Sequence, residues 1–406
     1  SVRAVELGAP DDFGFKGSPT WVKEVQFLST PKTECHFIDA ADPERAAAEV
    51  VGALEKLDAL APRQRKRRAA SEQVRPAVRG RDVWVVCEEN LQGDVTRATL
   101  ELLSSGDELA GAVGGALVAV MISKSQQRHA GLLASYGADR LLVLNGAALD
   151  SYTPEGWAAA LASVVPEREP WALLLSASER GRDFGPRLAA RLNLGLTGDA
   201  IGLEVDAQRR LVALKPAFGG NIVAPILSKT FPQAATVRAG VLELAEACEK
   251  RPAEVEVVSI DGASIKSRLV RAHSLLDSSM AQLEGAEVVV GIGMGVGGPD
   301  GVARVRDFAR SIGAAMCATR RVTDAGWMPR QLQVGLTGKA IDPRLYFAIG
   351  VRGAPNHTVG IKRAQTVVAI NNDPESPIFE RANLGAVADW SAIVAPLEAA
   401  LRAVRS

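Results

Sequence analysis

The chain has 406 residues, of which 47% are apolar and 23% charged, and its 47 basic residues equal its 47 acidic residues in number. At about 150 residues per domain, this length predicts two or three domains. The composition supplies a real core and excludes a disordered chain, a collagen and a coiled coil. The zero net charge argues against a nucleic-acid binder that neutralises phosphates over a wide face. No apolar run is long enough to span a bilayer.

The four cysteines and four histidines are dispersed along the chain. No CxxC or HxxxH pair occurs, so neither a disulfide framework nor a metal site is expected. No signal peptide is visible. The sequence therefore predicts a reduced compartment, either a bacterial cytoplasm or the mitochondrial matrix.

Residues 1–60 combine Gly- and Pro-rich loop sequence with a predicted strand at 21–28 and a predicted helix at 43–60. So little regular structure cannot bury a core of its own, and we expect this arm to pack on another part of the protein. Residues 61–80 carry seven basic residues, one acidic residue and two prolines. We interpret them as a solvated linker; the alternative is a patch that binds an anionic ligand or a membrane.

Residues 81–253 alternate short apolar runs with helical patterns. This alternation predicts βαβ units and a doubly wound parallel sheet covered on both faces. Strands are predicted at 83–86, 117–122, 140–144 and 171–175, and helices at 94–103, 125–136, 154–164 and 182–192. Residues 200–205, 210–215 and 235–238 are predicted to form a smaller antiparallel extension. The strand-end loops here lack glycine-rich turns, so we expect a partner-docking domain in which Ser176 and Ser178 are turn or cap residues.

Residues 254–406 restart the pattern and predict a second doubly wound α/β domain. Its strands are predicted at 287–290, 314–318, 345–349 and 366–370, and its helices at 274–283, 301–312 and 390–402. Ligands bind at the carboxyl ends of such strands. The loops that follow these strands, 291–298, 319–326, 350–357 and 371–374, are rich in glycine and small polar residues. Backbone N–H groups can therefore approach a phosphate or a flat ring closely.

Several motifs in this region resemble the electron-transfer flavoprotein alpha subunit. They are Gln333-Val334-Gly335-Leu336-Thr337-Gly338-Lys339, the Gly353…His357 string, Ala369-Ile370-Asn371 and Asp373-Pro374. The resemblance extends over roughly residues 81–406 and is most specific over 319–389. It implies a Rossmann-like C-terminal domain that binds FAD. It also implies an electron carrier rather than an enzyme, with a beta subunit as partner, a flavoprotein dehydrogenase as donor, and an acceptor such as a quinone oxidoreductase.

The resemblance also implies roles for individual residues. Arg320 matches an arginine that lies over the flavin, and Thr319 matches a serine that contacts the cofactor. Thr337 is expected to face N5 and the C4 carbonyl, and His357 to lie near the C2 carbonyl as a protonated or donating imidazole. The full set of implied cofactor contacts is Thr319, Arg320, Gln333, Val334, Gly335, Leu336, Thr337, Gly338, Arg352, Gly353, Ala354, Pro355, Asn356, His357, Asn371, Asp389 and Met294. Structural alternatives remain open: a surface ion pair for Arg320, helix caps for Thr337 and Asp389, a structural role for His357, and a turn for Asn371.

The sequence also departs from the family pattern. Met294 stands where the family has the arginine of a Gly-Gly-Arg-Gly turn, and Arg352 replaces a serine and is a candidate to restore that charge. Leu336 replaces a glutamine, and Asn383-Leu384 replaces an Asp-Tyr pair. We expect these changes to affect the redox potential and the choice of partner more than FAD binding.

Gly17-Ser18-Pro19-Thr20-x-Val22 resembles the C-terminal end of the family's beta subunit. It implies a beta–alpha fusion joined by the basic linker; the alternative is an unrelated arm. The beta portion would hold AMP or a second FAD, and electron bifurcation would need the second flavin. Two other classes stay open: an NAD-dependent Rossmann-domain enzyme with His357 as base, and a non-catalytic nucleotide-sensing protein.

Overall fold

The computed structural model describes residues 14–27, 33–61, 68–122, 128–217, 222–249, 253–262, 265–270, 283 and 285–405. The strands are β1 (Thr20–Val22), β2 (Gln26–Phe27), β3 (His36–Ile38), β4 (Val83–Val86), β5 (Leu117–Ile122), β6 (Arg140–Asn145), β7 (Ala172–Ser176), β8 (Leu196–Ala200), β9 (Gly202–Val205), β10 (Leu211–Ala217), β11 (Ile222–Ser228), β12 (Gln233–Val237), β13 (Glu254–Ser259), β14 (Val288–Ile292), β15 (Ala315–Ala318), β16 (Leu345–Ile349), β17 (Thr366–Asn371) and β18 (Leu384–Val387). The α-helices are α1 (Gly14–Gly17), α2 (Pro43–Lys56), α3 (Arg97–Val113), α4 (Ala130–Ser135), α5 (Pro154–Arg168), α6 (Glu179–Leu192), α7 (Pro299–Ser311), α8 (Arg320–Asp324), α9 (Pro355–Thr358) and α10 (Trp390–Arg405). The predicted helix at 274–283 lies almost entirely outside the described residues, as does the start of the one predicted at 125–136.

Local sequence signals explain where the longer helices begin and end. The Thr96 hydroxyl accepts from the amide of Thr99 at the start of α3, and α3 ends at Gly114 in the left-handed region (φ 72°). The Ser178 hydroxyl likewise accepts from the amide of Gly181 at the start of α6, which is the capping role expected for it.

The described residues fall into two compact units. Unit 1 contains those of 14–27, 68–217 and 222–270, and unit 2 contains those of 33–61 and 283–405. Unit 1 is built on a parallel sheet with the strand order β13-β6-β5-β4-β7-β12-β8. Its central strands are buried along their whole length, as continuous apolar runs predict.

A second, antiparallel sheet in unit 1 has the order β1-β11-β10-β9, with β2 paired to β11. The predicted antiparallel extension is therefore present, but residues 235–238 do not belong to it. They overlap β12, which lies in the parallel sheet between β7 and β8. All five residues of β12 are buried, as is typical of a strand inside a sheet that is covered on both faces. The first part of the N-terminal arm supplies β1 and β2 to this sheet.

The described part of the basic linker, residues 68–80, is not a solvated tether. Arg75 donates through Nε to Asp139 (2.9 Å) and through a terminal nitrogen to Asp107 (2.7 Å), and Arg68 also pairs with Asp107 (3.0 Å). The Asp107 and Asp139 side chains are 1% and 0% exposed, so each needs a charged partner. These ion pairs hold residues 68–80 on unit 1.

Unit 2 is a six-stranded parallel sheet with the order β15-β14-β16-β17-β18-β3. Its edge strand β3 and helix α2, which packs against α10, come from the N-terminal arm. The structure also differs from the expected boundary at residue 254, because β13 pairs with β6 in unit 1. Among the described residues, no helix has the length and apolarity needed to cross a membrane.

Candidate functional site

The carboxyl edge of the unit 2 sheet contains the point where the strand order reverses. β14 leads through α7 to β15 on one side, whereas β16 and β17 continue on the other side. Open α/β sheets bind their ligands in the crevice at such a switch point. The predicted cofactor contacts all lie on the loops of this edge: Met294 after β14, Thr319 and Arg320 after β15, 333–338 in the following loop, 352–357 after β16, Asn371 at the end of β17 and Asp389 after β18.

Backbone hydrogen bonds join these loops to one another. The amide of Thr319 donates to the Ile292 carbonyl, and the amide of Gly295 donates to the Gly350 carbonyl, each over 3.0 Å. The amide of Leu336 donates to the Asn356 carbonyl over 2.6 Å. The edge is therefore one connected surface and not a set of independent loops.

Glycines let the loop after β14 lie directly against the loop after β16. A Cβ on Gly293 would stand 2.1 Å from the Gly350 carbonyl oxygen, and one on Gly295 would stand 2.8 Å from the Gly350 Cα. Residues with side chains cannot occupy these positions without moving the backbone.

The same loop ends in an uncapped helix start. Gly297 (φ 86°) and Gly298 (φ 148°) face open space, and Gly298 precedes the 13-residue helix α7 without any side-chain cap. Pro299 has no N–H, and the N–H groups that follow it in the first turn donate to no capping side chain among the described residues, so the helix dipole favours negative charge there. This donor set fits a pyrophosphate.

Two residues of the edge differ in polarity from what the family pattern leads one to expect. Met294 is half-buried against the unit 2 core and brings no charge. Arg352 is exposed, and its carbonyl accepts from the hydroxyl of Ser376 and the amide of Ile378, each over 3.0 Å. Its guanidinium forms no ion pair with another described residue, so its charge is available at the edge.

The 333–338 loop presents an oriented hydroxyl. Gln333 is 2% exposed, and its Nε2 donates to the Thr337 hydroxyl over 2.8 Å. Thr337 itself is exposed and caps no helix. Since its oxygen accepts this bond, its hydrogen remains available to a ligand.

Arg320 begins α8, next to Thr319, whose hydroxyl makes no capping bond. Arg320 pairs with Asp324 one turn later (3.2 Å), and both side chains are more than half exposed. An exposed pair at this spacing contributes only about 0.3–0.5 kcal/mol. The guanidinium can therefore leave Asp324 for an anionic ligand at little cost.

His357 has a different environment from the one expected. Its Nδ1 lies 3.0 Å from the Val334 carbonyl and its Nε2 lies 2.9 Å from the Tyr346 hydroxyl, so both ring nitrogens have partners within unit 2. Burial lowers the pKa of His357 to about 4. The ring is therefore neutral at pH 7, and neither a protonated imidazole nor one that donates to a flavin carbonyl fits this arrangement.

Asn371 and Asp389 have the structural roles that were left open for them. Asn371 donates to the Val351 carbonyl and accepts from the amide of Asp373, each over 2.9 Å. Asp389 accepts from the amide of Ser391 (2.8 Å) at the start of α10, and hydrogen bonds from Ser391 lower the pKa of its carboxyl. Each nevertheless lies at the sheet edge with the other predicted contacts.

Sequence reasoning gave no site role to Tyr346 and assigned Gly291 to the loop that follows β14, whereas Gly291 lies inside β14 and both residues support the edge. Tyr346 lies inside an apolar strand pattern and is 0% exposed, and a Cβ on Gly291 would stand in the space of its hydroxyl. A glycine inside the β14 strand pattern is the signal that could have indicated a close approach. Asn383, singled out as a departure, accepts from the amide of Val367 (2.8 Å) and so fixes the start of β18.

The two parallel sheets and the glycine-lined edge of unit 2 define a dinucleotide-binding α/β protein. Residues 83–263 match the electron transfer flavoprotein domain, and residues 282–362 match the electron transfer flavoprotein FAD-binding domain. The chain is 36% identical to the electron transfer flavoprotein subunit alpha of Thermoanaerobacterium thermosaccharolyticum, over 77% of this chain and 96% of the relative. It is 36% identical to protein FixB of Rhizobium meliloti (76% and 89% covered) and 33% identical to the LctC subunit of the lactate dehydrogenase (NAD(+),ferredoxin) of Acetobacterium woodii (79% and 76% covered).

The chain therefore belongs to the electron transfer flavoprotein alpha-subunit family. The resemblance noted in the sequence and the α/β fold class are confirmed, and the protein is an FAD-dependent electron carrier rather than an enzyme. An NAD-dependent enzyme is not favoured.

Proposed function

We propose that unit 2 holds FAD across the switch point between β14 and β16. The pyrophosphate would lie at the uncapped start of α7, and the isoalloxazine against the loops at 319–320, 333–338 and 352–357. The observation that carries this proposal is the coincidence, on one hydrogen-bonded edge, of the open Gly297-Gly298 turn and the oriented Thr337 hydroxyl. FAD supplies the one-electron chemistry when bound, and the protein binds and orients it.

The charges of the edge support a site for a flavin that gains negative charge. Arg320 and Arg352 are exposed cations on neighbouring loops, and Thr337 offers a hydrogen-bond donor. Positive charge and donors near the ring stabilise its reduced forms. Because His357 is neutral, we assign the cationic contribution to the arginines and to the start of α7.

We also propose that the N-terminal arm, residues 1–60, is the equivalent of the carboxyl-terminal end of a family beta subunit, held in cis through β1 and β2 on unit 1 and through β3 on unit 2. The family matches begin at residue 83, and the aligned relative is 96% covered by only 77% of this chain. The arm would connect the FAD unit to a beta subunit or beta domain that binds AMP or a second FAD. Electrons would then pass, in the cytoplasm, from a flavoprotein dehydrogenase to an acceptor. In support, the LctC relative is a subunit of a lactate dehydrogenase (NAD(+),ferredoxin).

The visible spectrum of the purified full chain tests the FAD proposal. After reconstitution with FAD and removal of unbound flavin, we expect about one FAD per chain and a flavin spectrum that bleaches during stepwise reduction. A folded chain that stays colourless after reconstitution would overturn the proposal. A chain that responds only to a nicotinamide cofactor would indicate the dehydrogenase class instead.

A further inference from the structure

A buried polar chain runs beneath the candidate site in unit 2. The Tyr346 hydroxyl lies 2.9 Å from His357 Nε2 and 3.7 Å from Cys317 Sγ, and His357 Nδ1 lies 3.0 Å from the Val334 carbonyl. Tyr346 and Cys317 are both 0% exposed. Among the residues that the structure describes, the three side chains have only one another and the backbone as partners for their polar atoms.

The space for this chain is built into the sheet. Tyr346 lies on β16 opposite Val289 of β14, and its ring leans along the sheet toward Gly291, the β14 residue paired with Cys317 on β15. A Cβ on Gly291 would stand only 1.7 Å from the Tyr346 hydroxyl oxygen. Only glycine at position 291 lets the phenol cross β14 from one neighbouring strand to the other.

The partners determine where the protons lie. A carbonyl can only accept, so His357 Nδ1 carries the proton that points to Val334. The Nε2 of a neutral ring then accepts from the Tyr346 hydroxyl. Burial raises the pKa of Cys317 to about 12 and raises that of Tyr346, so both keep their hydrogens.

His357 in turn joins two loops of the candidate site. It belongs to the loop after β16 and holds the 333–338 loop through Val334. The same two loops meet at Gly335, where a Cβ would stand 2.4 Å from the Asn356 carbonyl oxygen. A displaced imidazole would therefore move the segment that carries Thr337.

We propose that Tyr346 is a positioning residue for the flavin site: its hydroxyl fixes His357 as a neutral, Nδ1-protonated ring, which fastens the 333–338 loop to the loop after β16. This inference rests on the proposed FAD site. It makes His357 a clamp between loops rather than a source of positive charge.

Selective ¹⁵N labelling of histidine in the full chain tests the first half of the inference, since the chain has four histidines. In the FAD-reconstituted wild type, we expect His357 to show a protonated Nδ1 and an unprotonated, hydrogen-bonded Nε2 between pH 6 and 8. A protonated Nε2 in the wild type would overturn the proposal without any variant. In Tyr346→Phe, which keeps the ring under Gly291, the Nε2 resonance should move to the position of an unbonded nitrogen.

Flavin titration tests the second half. Loss of one hydrogen bond in the clamp should raise the FAD dissociation constant about fivefold in Tyr346→Phe. If Tyr346 acts through His357, the same substitution should have no further effect in the His357→Asn background, and independent, additive losses would overturn the inference. Tyr152→Phe removes a hydroxyl in unit 1 and should bind FAD like the wild type. Failure of the wild type itself to bind FAD would instead refute the proposed function.

Discussion

The Nε2 of Gln333 donates to the hydroxyl of Thr337 over 2.8 Å, which makes the threonine oxygen an acceptor and leaves its hydrogen for a ligand. We predict that Thr337→Val, which keeps the side-chain shape, weakens FAD binding about fivefold, or about 1 kcal/mol. Thr337→Ser should bind like the wild type. Flavin fluorescence titration measures both dissociation constants.

Thr366→Val is the matched control for Thr337→Val. Thr366 begins β17 at the opposite edge of the unit 2 sheet and is buried. Its variant should retain the wild-type affinity for FAD. Equal affinity of the wild type and Thr337→Val would mean that this hydroxyl does not contact the cofactor.

Arg320 offers a test of electrostatics at the same edge. Its partner Asp324 holds it weakly, so its charge is free to act on the flavin. A charge contact worth about 1.4 kcal/mol shifts a one-electron couple by roughly 59 mV. Arg320→Ala should therefore lower the first reduction potential by some tens of millivolts while FAD stays bound. Arg310→Ala, which breaks an exposed pair with Asp307 on α7, should leave the potential unchanged, as spectroelectrochemistry would reveal.

If the potential of Arg320→Ala equals that of the wild type, Arg320 does not lie beside the ring. In that case Arg352, another exposed cation of the edge, becomes the residue to substitute next.

Substitution of Arg75 should change the stability of the protein and not its binding of the cofactor. Arg75→Met leaves the buried carboxylates of Asp107 and Asp139 without this partner, which should lower the free energy of unfolding by about 3 kcal/mol. Arg79→Met breaks a pair with Glu169 in which both side chains are more than half exposed, and should cost under about 0.5 kcal/mol. Urea denaturation followed by circular dichroism compares the two; similar losses would contradict the assignment of Arg75 as the anchor of the linker.

Because His357 is buried, the stability of the protein should depend on pH. The pKa of a histidine in the unfolded chain is near 6.5, and burial lowers that of folded His357 to about 4. The folded state therefore disfavours protonation. The neutral ring therefore contributes fully to the free energy of unfolding above pH 6.5. This contribution is lost as the pH falls from 6.5 to about 4, by up to about 3 kcal/mol.

His357→Asn can still donate to Val334 but does not titrate, so its unfolding midpoint should change less over this pH range than that of the wild type. Parallel urea titrations at pH 7 and pH 4.5 give the comparison. An unchanged pH dependence in the variant would show that other groups are responsible for the acid sensitivity.

The sequence predicted those parts of the fold that depend on local patterns. The runs at β4, β5 and β16 are apolar throughout because the strands are buried on both faces, so their bounds were predicted correctly at 83–86, 117–122 and 345–349. The candidate site could be placed for the same reason, since loops after parallel strands meet at one edge.

Features that depend on distant residues could not be predicted in this way. Arg75 is anchored by carboxylates 32 and 64 positions away, and nothing in its neighbourhood distinguishes it from the solvated arginines of a linker. The neutral state of His357 follows from its burial beside Tyr346, whose side chain reaches it only because Gly291 leaves space. The three residues of β3 form a strand because β18 offers them an edge.

The place of β3 beside β18 has a consequence for synthesis. The ribosome makes residues 36–38 long before residues 384–386, their partners. Pairings between such remote segments form slowly, because much chain must be ordered before they are gained. Until then β18 is an edge strand with unpaired backbone N–H and C=O groups, to which a strand of a neighbouring nascent chain could pair. This protein is therefore expected to need dilution or chaperone protection during synthesis.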